Sequence, residues 1–309
     1  MNSIESIFEK NFVLLDKNKV VSELKENGFF NYKNAFKKEF IENLISEVEK
    51  NKFSINKNWT TGVYTDGQYY VKHLLSCSKQ FYNLVSNKII FDFCDLFFQK
   101  NYRLKAFRYY ETFSKHKMAW HTDNKIAKNL GADIHKEVPG IIFIVYLGKV
   151  DDGEFQFIKK SHKLSQVDAY NDYNNEYILK NFKDDIISFK GEKGDLIIYD
   201  TYGIHRAKPV LSKKNFVRKS LFFQIDTDLN TAEPSLVNPS YFSNLDNKSR
   251  DFFGFGLENE SDTYPNTNIN MLPLKLFFSI FFKYIYYKLP RIFYNLLPNK
   301  LKLLIKKIL

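Results

Sequence analysis

Cysteine is nearly missing from this 309-residue chain: Cys77 and Cys94 are the only two. Both sit in hydrophobic surroundings and neither belongs to a Cys-x-x-Cys pair. That argues against a disulfide framework and points to two buried free thiols in a reduced compartment. The start, Met1-Asn2-Ser3-Ile4-Glu5-Ser6, lacks a basic segment followed by an apolar core, so no secretory signal is read there and a cytoplasmic location is expected. Asp and Glu are missing from Asn270 to Leu309, where Lys275, Lys283, Lys288, Arg291, Lys300, Lys302, Lys306 and Lys307 fall. This tail supplies +8 of the net charge of +11, and the rest of the chain is nearly balanced. A nucleic-acid-binding protein would spread its basic charge over the folded surface, so no nucleic-acid partner is expected. Internal repeats and βαβ alternation are missing as well.

Hydrophobic residues make up 44% of the chain, enough for a large core, and length allows one domain plus an appendage. Val20 to Gly28 reads as a short helix closed by Asn27-Gly28, and Phe29 to Tyr32 as a short strand. Phe36 to Lys50 is an amphipathic helix, with Phe40, Ile41, Leu44, Ile45 and Val48 at helical spacing. Residues 51–83 read as loops and short strands that can act as a lid. Lys79 to Gln99 reads as a second helix.

From Tyr102 the pattern turns to strands. Leu104 to Phe113 is β-rich, and Ile141 to Leu147 has the continuous apolar character of a buried strand. Asp151-Asp152-Gly153-Glu154 reads as a hairpin turn, with Phe155 to Ile158 returning as the partner strand. Ser165 to Phe182 is a polar insert. Strands follow at Ile186–Phe189, Leu196–Asp200 and Phe216–Ile225, and residues 226–265 form a polar exit segment. The expected fold is mainly β with flanking α-helices. It is a double-stranded β-helix (jelly roll, cupin-like) with N-terminal helices and a helical C-terminal tail. Residues 1–265 are taken as one domain with its jelly-roll core at about 102–228, and 266–309 as the tail.

The chemistry centres on Trp120-His121-Thr122-Asp123, answered much later by His205. Two histidines and one carboxylate in this pattern are the ligand set of an iron site that leaves coordination positions open. His121 and Asp123 are two apart, so an extended chain points both to one side. On the last strand Phe216, Arg218, Ser220, Phe222 and Gln224 share a face, which suits the wall of a polar pocket inside a barrel. Arg218 can pair bidentately with a carboxylate, which a lysine cannot do. Arg108 on the strand before the motif faces either the pocket or a salt bridge. Trp120 is expected to pack beside the metal, and His162 to be structural at its turn. His73, His116, His135 and Arg206 are weaker candidates for the substrate mouth, and Lys208 and Asn215 lie near the strand of His205.

Taken in order, these features resemble the phytanoyl-CoA dioxygenase-like branch of the Fe(II)/2-oxoglutarate oxygenases. The resemblance covers about residues 20–228. It rests on Glu26-Asn27-Gly28-Phe29-Phe30 and the helix after it, and on Trp120-His121-Thr122-Asp123. The Gly153 hairpin ending in Ser161-His162, Gly194-Asp195, His205 and Arg218 complete it. It implies Fe(II) on His121, Asp123 and His205, and 2-oxoglutarate held through its C5 carboxylate by Arg218. O2 is then the second co-substrate, with release of succinate and CO2. Asp123 is present where the halogenases of this fold lack a carboxylate, which favours hydroxylation. Lys160 stands where the family has Gly, implying a changed loop. The rival reading is a non-catalytic jelly-roll protein that binds a ligand or docks at a membrane.

In the tail, Leu274 to Leu309 mixes aromatics, aliphatics and lysines. Its longest uncharged run, Ile292 to Asn299, falls far short of the about 20 residues that span a bilayer. Pro273, Pro290 and Pro298 are expected to divide it into short helices. Such helices suit either packing on the barrel or a second subunit, or an anionic membrane surface at the inner face of the cell membrane, which would bring a lipid-linked substrate within reach beside small molecules.

Overall fold

The structure, a computed structural model, describes residues 7–52, 62–65, 67–114, 116–123, 138–164, 173–211, 216–230, 232–257 and 269–308. Among them ten strands form two antiparallel sheets. The strands are β1 (Phe29–Tyr32), β2 (Gly62–Thr65), β3 (Gln68–Val71), β4 (Arg103–Phe113) and β5 (Gly140–Tyr146), then β6 (Val150–Ile158), β7 (Ile186–Gly191), β8 (Leu196–Asp200), β9 (His205–Ala207) and β10 (Val217–Asp226). The major sheet runs β1-β8-β5-β10-β4-β3-β2 and the minor sheet β7-β6-β9. This is the expected jelly roll, with helices on either side of the strand region in sequence.

Strand alternation decides where the core sits. On β5, Ile141, Phe143 and Val145 join the large core, which also takes in the N-terminal helices. Ile142, Ile144 and Tyr146 point the other way, into a second core shared with Phe155 and Phe157 of β6 and Ile197 and Tyr199 of β8. The strand is thus covered on both faces, which is why Ile141 to Leu147 reads as an unbroken apolar run. On β10, Leu221, Phe223 and Ile225 belong to the large core, while Arg218, Ser220 and Phe222 share the opposite face.

The helix Lys17–Asn27 is capped by Asp16, whose carboxylate accepts from the Asn18 and Lys19 N–H groups, and closed by Gly28 at φ 86°. The amphipathic helix runs Lys38–Asn51 and buries Phe40, Ile41, Leu44 and Val48.

Several expectations are corrected. Phe155–Ile158 does not return beside β5. β5 lies in the major sheet, and β6 pairs with β7 and β9 in the minor one. The chain therefore crosses between sheets after Tyr146. The Asp-Gly signal marks an irregularity within β6, where Gly153 takes φ 62° and the register shifts between Val150 and Phe155. The single helix expected over Lys79–Gln99 is two, Lys79–Val85 and Lys88–Phe98, because Asn87 caps the second by accepting from the Ile89 N–H. Within the polar exit segment, Asn247–Phe253 forms a helix with buried Phe252. Cys94 is buried and Cys77 only half-buried. In the tail, Leu274–Leu296 is one helix that continues through Pro290, and the next helix, Asn299–Ile308, begins after Pro298. Proline costs one backbone hydrogen bond there without ending the helix. The expected body–tail boundary at 265/266, His135 and Asn215 lie outside the described residues. No helix among the described residues is long and apolar enough to cross a membrane.

Candidate metal centre

His121 and His205 face each other across an isolated antiparallel bridge and exchange both backbone hydrogen bonds, at 3.0 and 2.9 Å. Their rings lie 4.4 Å apart. The Asp123 N–H donates to the Thr201 carbonyl, anchoring the carboxylate beside them. One ligand atom from each of His121, Asp123 and His205 lies within 4.8 Å of the others, close enough to share one ion. His205 Nε2 is 3.2 Å from Asp123 Oδ2, and His121 Nε2 is 4.0 Å from Asp123 Oδ1.

The donor chemistry fits a metal. His121 Nδ1 lies 2.9 Å from the Ala119 carbonyl and His205 Nδ1 3.0 Å from the Gly203 carbonyl. A carbonyl only accepts, so each Nδ1 carries a hydrogen. In its neutral form such a ring keeps its lone pair on Nε2, the atom turned toward Asp123, and can give it to a metal. Gly203 is itself held tightly, since a Cβ there would sit 2.0 Å from the Phe157 ring. The turn before His205 is tied down by Ser161, whose hydroxyl donates to the Ile158 carbonyl and accepts from the Ile204 N–H, both at 2.7 Å.

Burial acts to raise the pKa of Asp123, but His205, His121 and the Tyr199 hydroxyl together bring it below the ordinary carboxylate value. Tyr199 donates to Asp123 Oδ2 at 3.0 Å. Burial and the Asp123 charge push its phenol well above the usual range, so it stays protonated and acts as donor.

A cavity of about 230 Å³ is lined by His121, Asp123 and His205 and takes in Arg108, Arg218, Ser220 and Phe222. Strand pairing builds its floor: Tyr146, Ser220 and Tyr110 lie abreast on β5, β10 and β4, with Ile144, Phe222 and Arg108 in the next row but one. Arg218 is buried. Its guanidinium donates to the Gly153 carbonyl and, at 3.2 Å, to Thr112 Oγ1. No described carboxylate forms an ion pair with it. Burial lowers its pKa, an effect that Tyr146 and Glu154 oppose.

The other sequence candidates divide. Arg108 lines the cavity and also pairs with Glu233, while donating to the Tyr110 hydroxyl at 2.7 Å. Trp120 does not line the cavity. It is buried with Ile158, Ile178 and Ile204, and the Arg206 guanidinium stacks 4.2 Å from its ring. His116 lies 3.1 Å from Gln68, which lines the cavity. His73 is buried elsewhere and accepts from the Leu236 N–H. Lys208 pairs with buried Glu154. His162 donates to the Lys25 carbonyl and pins its turn to the helix Lys17–Asn27. Lys160 takes φ 63°, the conformation a glycine would adopt freely. Sequence reasoning missed Tyr199, Tyr146, Tyr110, Gln68, Met118 and Phe155. Alternation with Ile197 puts Tyr199 on the inner face of β8, but its proximity to Asp123 depends on long-range pairing.

Solved structures share this fold. HygX from Streptomyces hygroscopicus with nickel, 2-oxoglutarate and hygromycin B bound matches with a TM-score of 0.55 and 15% identity, over 71% of this chain and 90% of that one. HygX with iron bound gives 0.54 and 16%, over 71% and 89%. SnoN, a non-heme alpha ketoglutarate dependent epimerase from nogalamycin biosynthesis, gives 0.51 and 12%, over 69% and 84%. No family model matches the chain, and no curated protein matches it in sequence. The chain therefore has the jelly-roll fold found in 2-oxoglutarate-dependent non-haem enzymes.

Proposed function

We propose that this protein is an Fe(II)- and 2-oxoglutarate-dependent dioxygenase that hydroxylates an unactivated C–H bond of a small or lipid- or glycan-linked substrate. One observation carries the reading. Three ligand atoms within 4.8 Å of one another share a cavity with a buried arginine that no described carboxylate pairs with. A desolvated guanidinium calls for an anion. A dicarboxylate reaching from the metal to Arg218 would supply it. The fold shared with HygX and SnoN, and the 2-oxoglutarate bound in HygX, support the same reading. The ordered motif set from Gly28 to Arg218 supports placing the chain in the phytanoyl-CoA dioxygenase-like branch.

His121, Asp123 and His205 would hold the iron, and Arg218 the far carboxylate of 2-oxoglutarate. Bound iron would supply O2 activation coupled to decarboxylation of 2-oxoglutarate, with succinate and CO2 as products. The chain's own residues do the rest. Tyr199 orients Asp123. Thr112 and the Gly153 carbonyl fix the Arg218 fork. Ile144, Phe155 and Phe222 keep water from the metal side of the cavity. Ser220 and Tyr110 offer hydroxyls to a bound molecule.

Anaerobic loading with Fe(II) and 2-oxoglutarate tests this through the visible charge-transfer band of the chelate. The band is expected in the wild type, absent in His121→Ala and weakened in Arg218→Ala. A folded, iron-loaded protein without the band would overturn the proposal. Once a substrate is in hand, product mass separates hydroxylation, which adds oxygen, from epimerisation, which leaves the mass unchanged.

A further inference from the structure

The tail stands apart from the proposed chemistry and rests on separate observations. The helix Leu274–Leu296 has no buried residue, although most of it is apolar. Phe282, Tyr286, Tyr287, Phe293 and Leu296 are each more than 60% exposed, and Leu301 and Leu303 continue the surface in the next helix. Core-forming side chains in this number need a cover. We propose that the cover is an anionic lipid surface, on which residues 274–308 lie as an interfacial element.

Charge selects this occupant. From Asn270 to Leu309 there are eight basic residues and no acidic one, so the tail carries no internal counter-charge. The rest of the chain is slightly positive in net charge, so a second copy offers neither an acidic tail nor a strongly acidic body. Anionic headgroups supply the missing sign, and lysines beside aromatics are the composition of helices seated at the headgroup level. Lys283 and Lys288 fall in mid-helix, and no helix among the described residues is long and apolar enough to cross a bilayer. The element thus lies on the surface. The tyrosines Tyr284, Tyr286 and Tyr287 suit the same depth, with rings toward the acyl chains and hydroxyls in the wet layer.

The test is co-sedimentation of the full chain with vesicles of phosphatidylcholine alone and of an equal mixture of phosphatidylcholine and phosphatidylglycerol. Binding is expected to the mixed vesicles and to weaken as salt rises. The double variant Lys283→Gln/Lys288→Gln should bind about 30-fold more weakly at low salt. Phe282→Ser/Phe293→Ser should also lose binding while melting with the wild type, since neither ring is buried. Failure to bind the mixed vesicles overturns the proposal, as does equal binding to both kinds or wild-type binding by both variants. A concentration-dependent dimer that leaves vesicles untouched would overturn it too, in favour of a second copy of the chain.

Discussion

Replacing Tyr199 by phenylalanine removes one hydroxyl and leaves the ring. The ring packs against Phe155 and His205, each with centroids 4.7 Å away, so the second core should stay intact. The hydroxyl donates to Asp123 Oδ2 at 3.0 Å, and a hydrogen bond to a charged acceptor contributes about 1.5–3 kcal/mol. Asp123 keeps its backbone anchor to Thr201 and its proximity to both histidines. The loss should therefore fall on carboxylate orientation rather than on folding. Outer partners of metal ligands typically change affinity by about 10–100-fold. Tyr199→Phe is accordingly expected to weaken metal binding by that factor, about 1.4–2.7 kcal/mol. An anaerobic competition titration against a chromophoric chelator measures it, with the thermal melt of the metal-free protein as control. Unchanged metal affinity in a folded variant would refute the positioning role. A loss as complete as that of Asp123→Ala, with an unchanged melt, would also refute it by making the hydroxyl a ligand.

Two further predictions concern stability. Gly28 sits at φ 86°, and a Cβ there would lie 2.5 Å from His162 Nδ1 and 2.8 Å from the Phe157 ring. Gly28→Ala should therefore cost about 2–5 kcal/mol in a denaturant titration, from left-handed strain plus overpacking; a midpoint equal to wild type would show that the contact relaxes freely. Burial, aided by Lys72, depresses the His73 pKa from 6.5 to about 4, so the unfolded chain takes up the proton first. The stability this neutral histidine contributes is whole above pH 6.5 and is lost as pH falls toward about 4, by about 2 kcal/mol at pH 5. Asp226, raised to about 6 mainly by burial, works in the opposite direction. The measurement is therefore the difference between wild type and His73→Asn from pH 7 to pH 5, and parallel curves would contradict the assignment.

Much of the fold was legible because its signals are local. The helix Lys17–Asn27 ends at the glycine that permits a positive φ, and β1 and β10 lie within a residue of their expected bounds. Alternation on β10 separates Arg218, Ser220 and Phe222 from Leu221, Phe223 and Ile225, and the structure keeps that division. Other signals were ambiguous. Asp152-Gly153 permits the same backbone angles in a hairpin turn and in an irregular strand, so the partner of Phe155–Ile158 was misread. Ser86-Asn87 interrupts an apolar pattern that is continuous at helical spacing, and a cap rather than periodicity ends the first helix. Trp120 adjoins His121 in sequence but turns into a different core.

The chain by itself determined which residue types stand where extended backbone turns them to one side. That is why His121, Asp123 and Arg218 could be named from spacing and alternation, which act over two residues. Only the tertiary structure decided what those sides face. Bringing His205 against His121, Tyr199 against Asp123 and Thr112 against Arg218 depends on sheet register between strands far apart in sequence. Register is set by how the two cores close together, and no local pattern carries it.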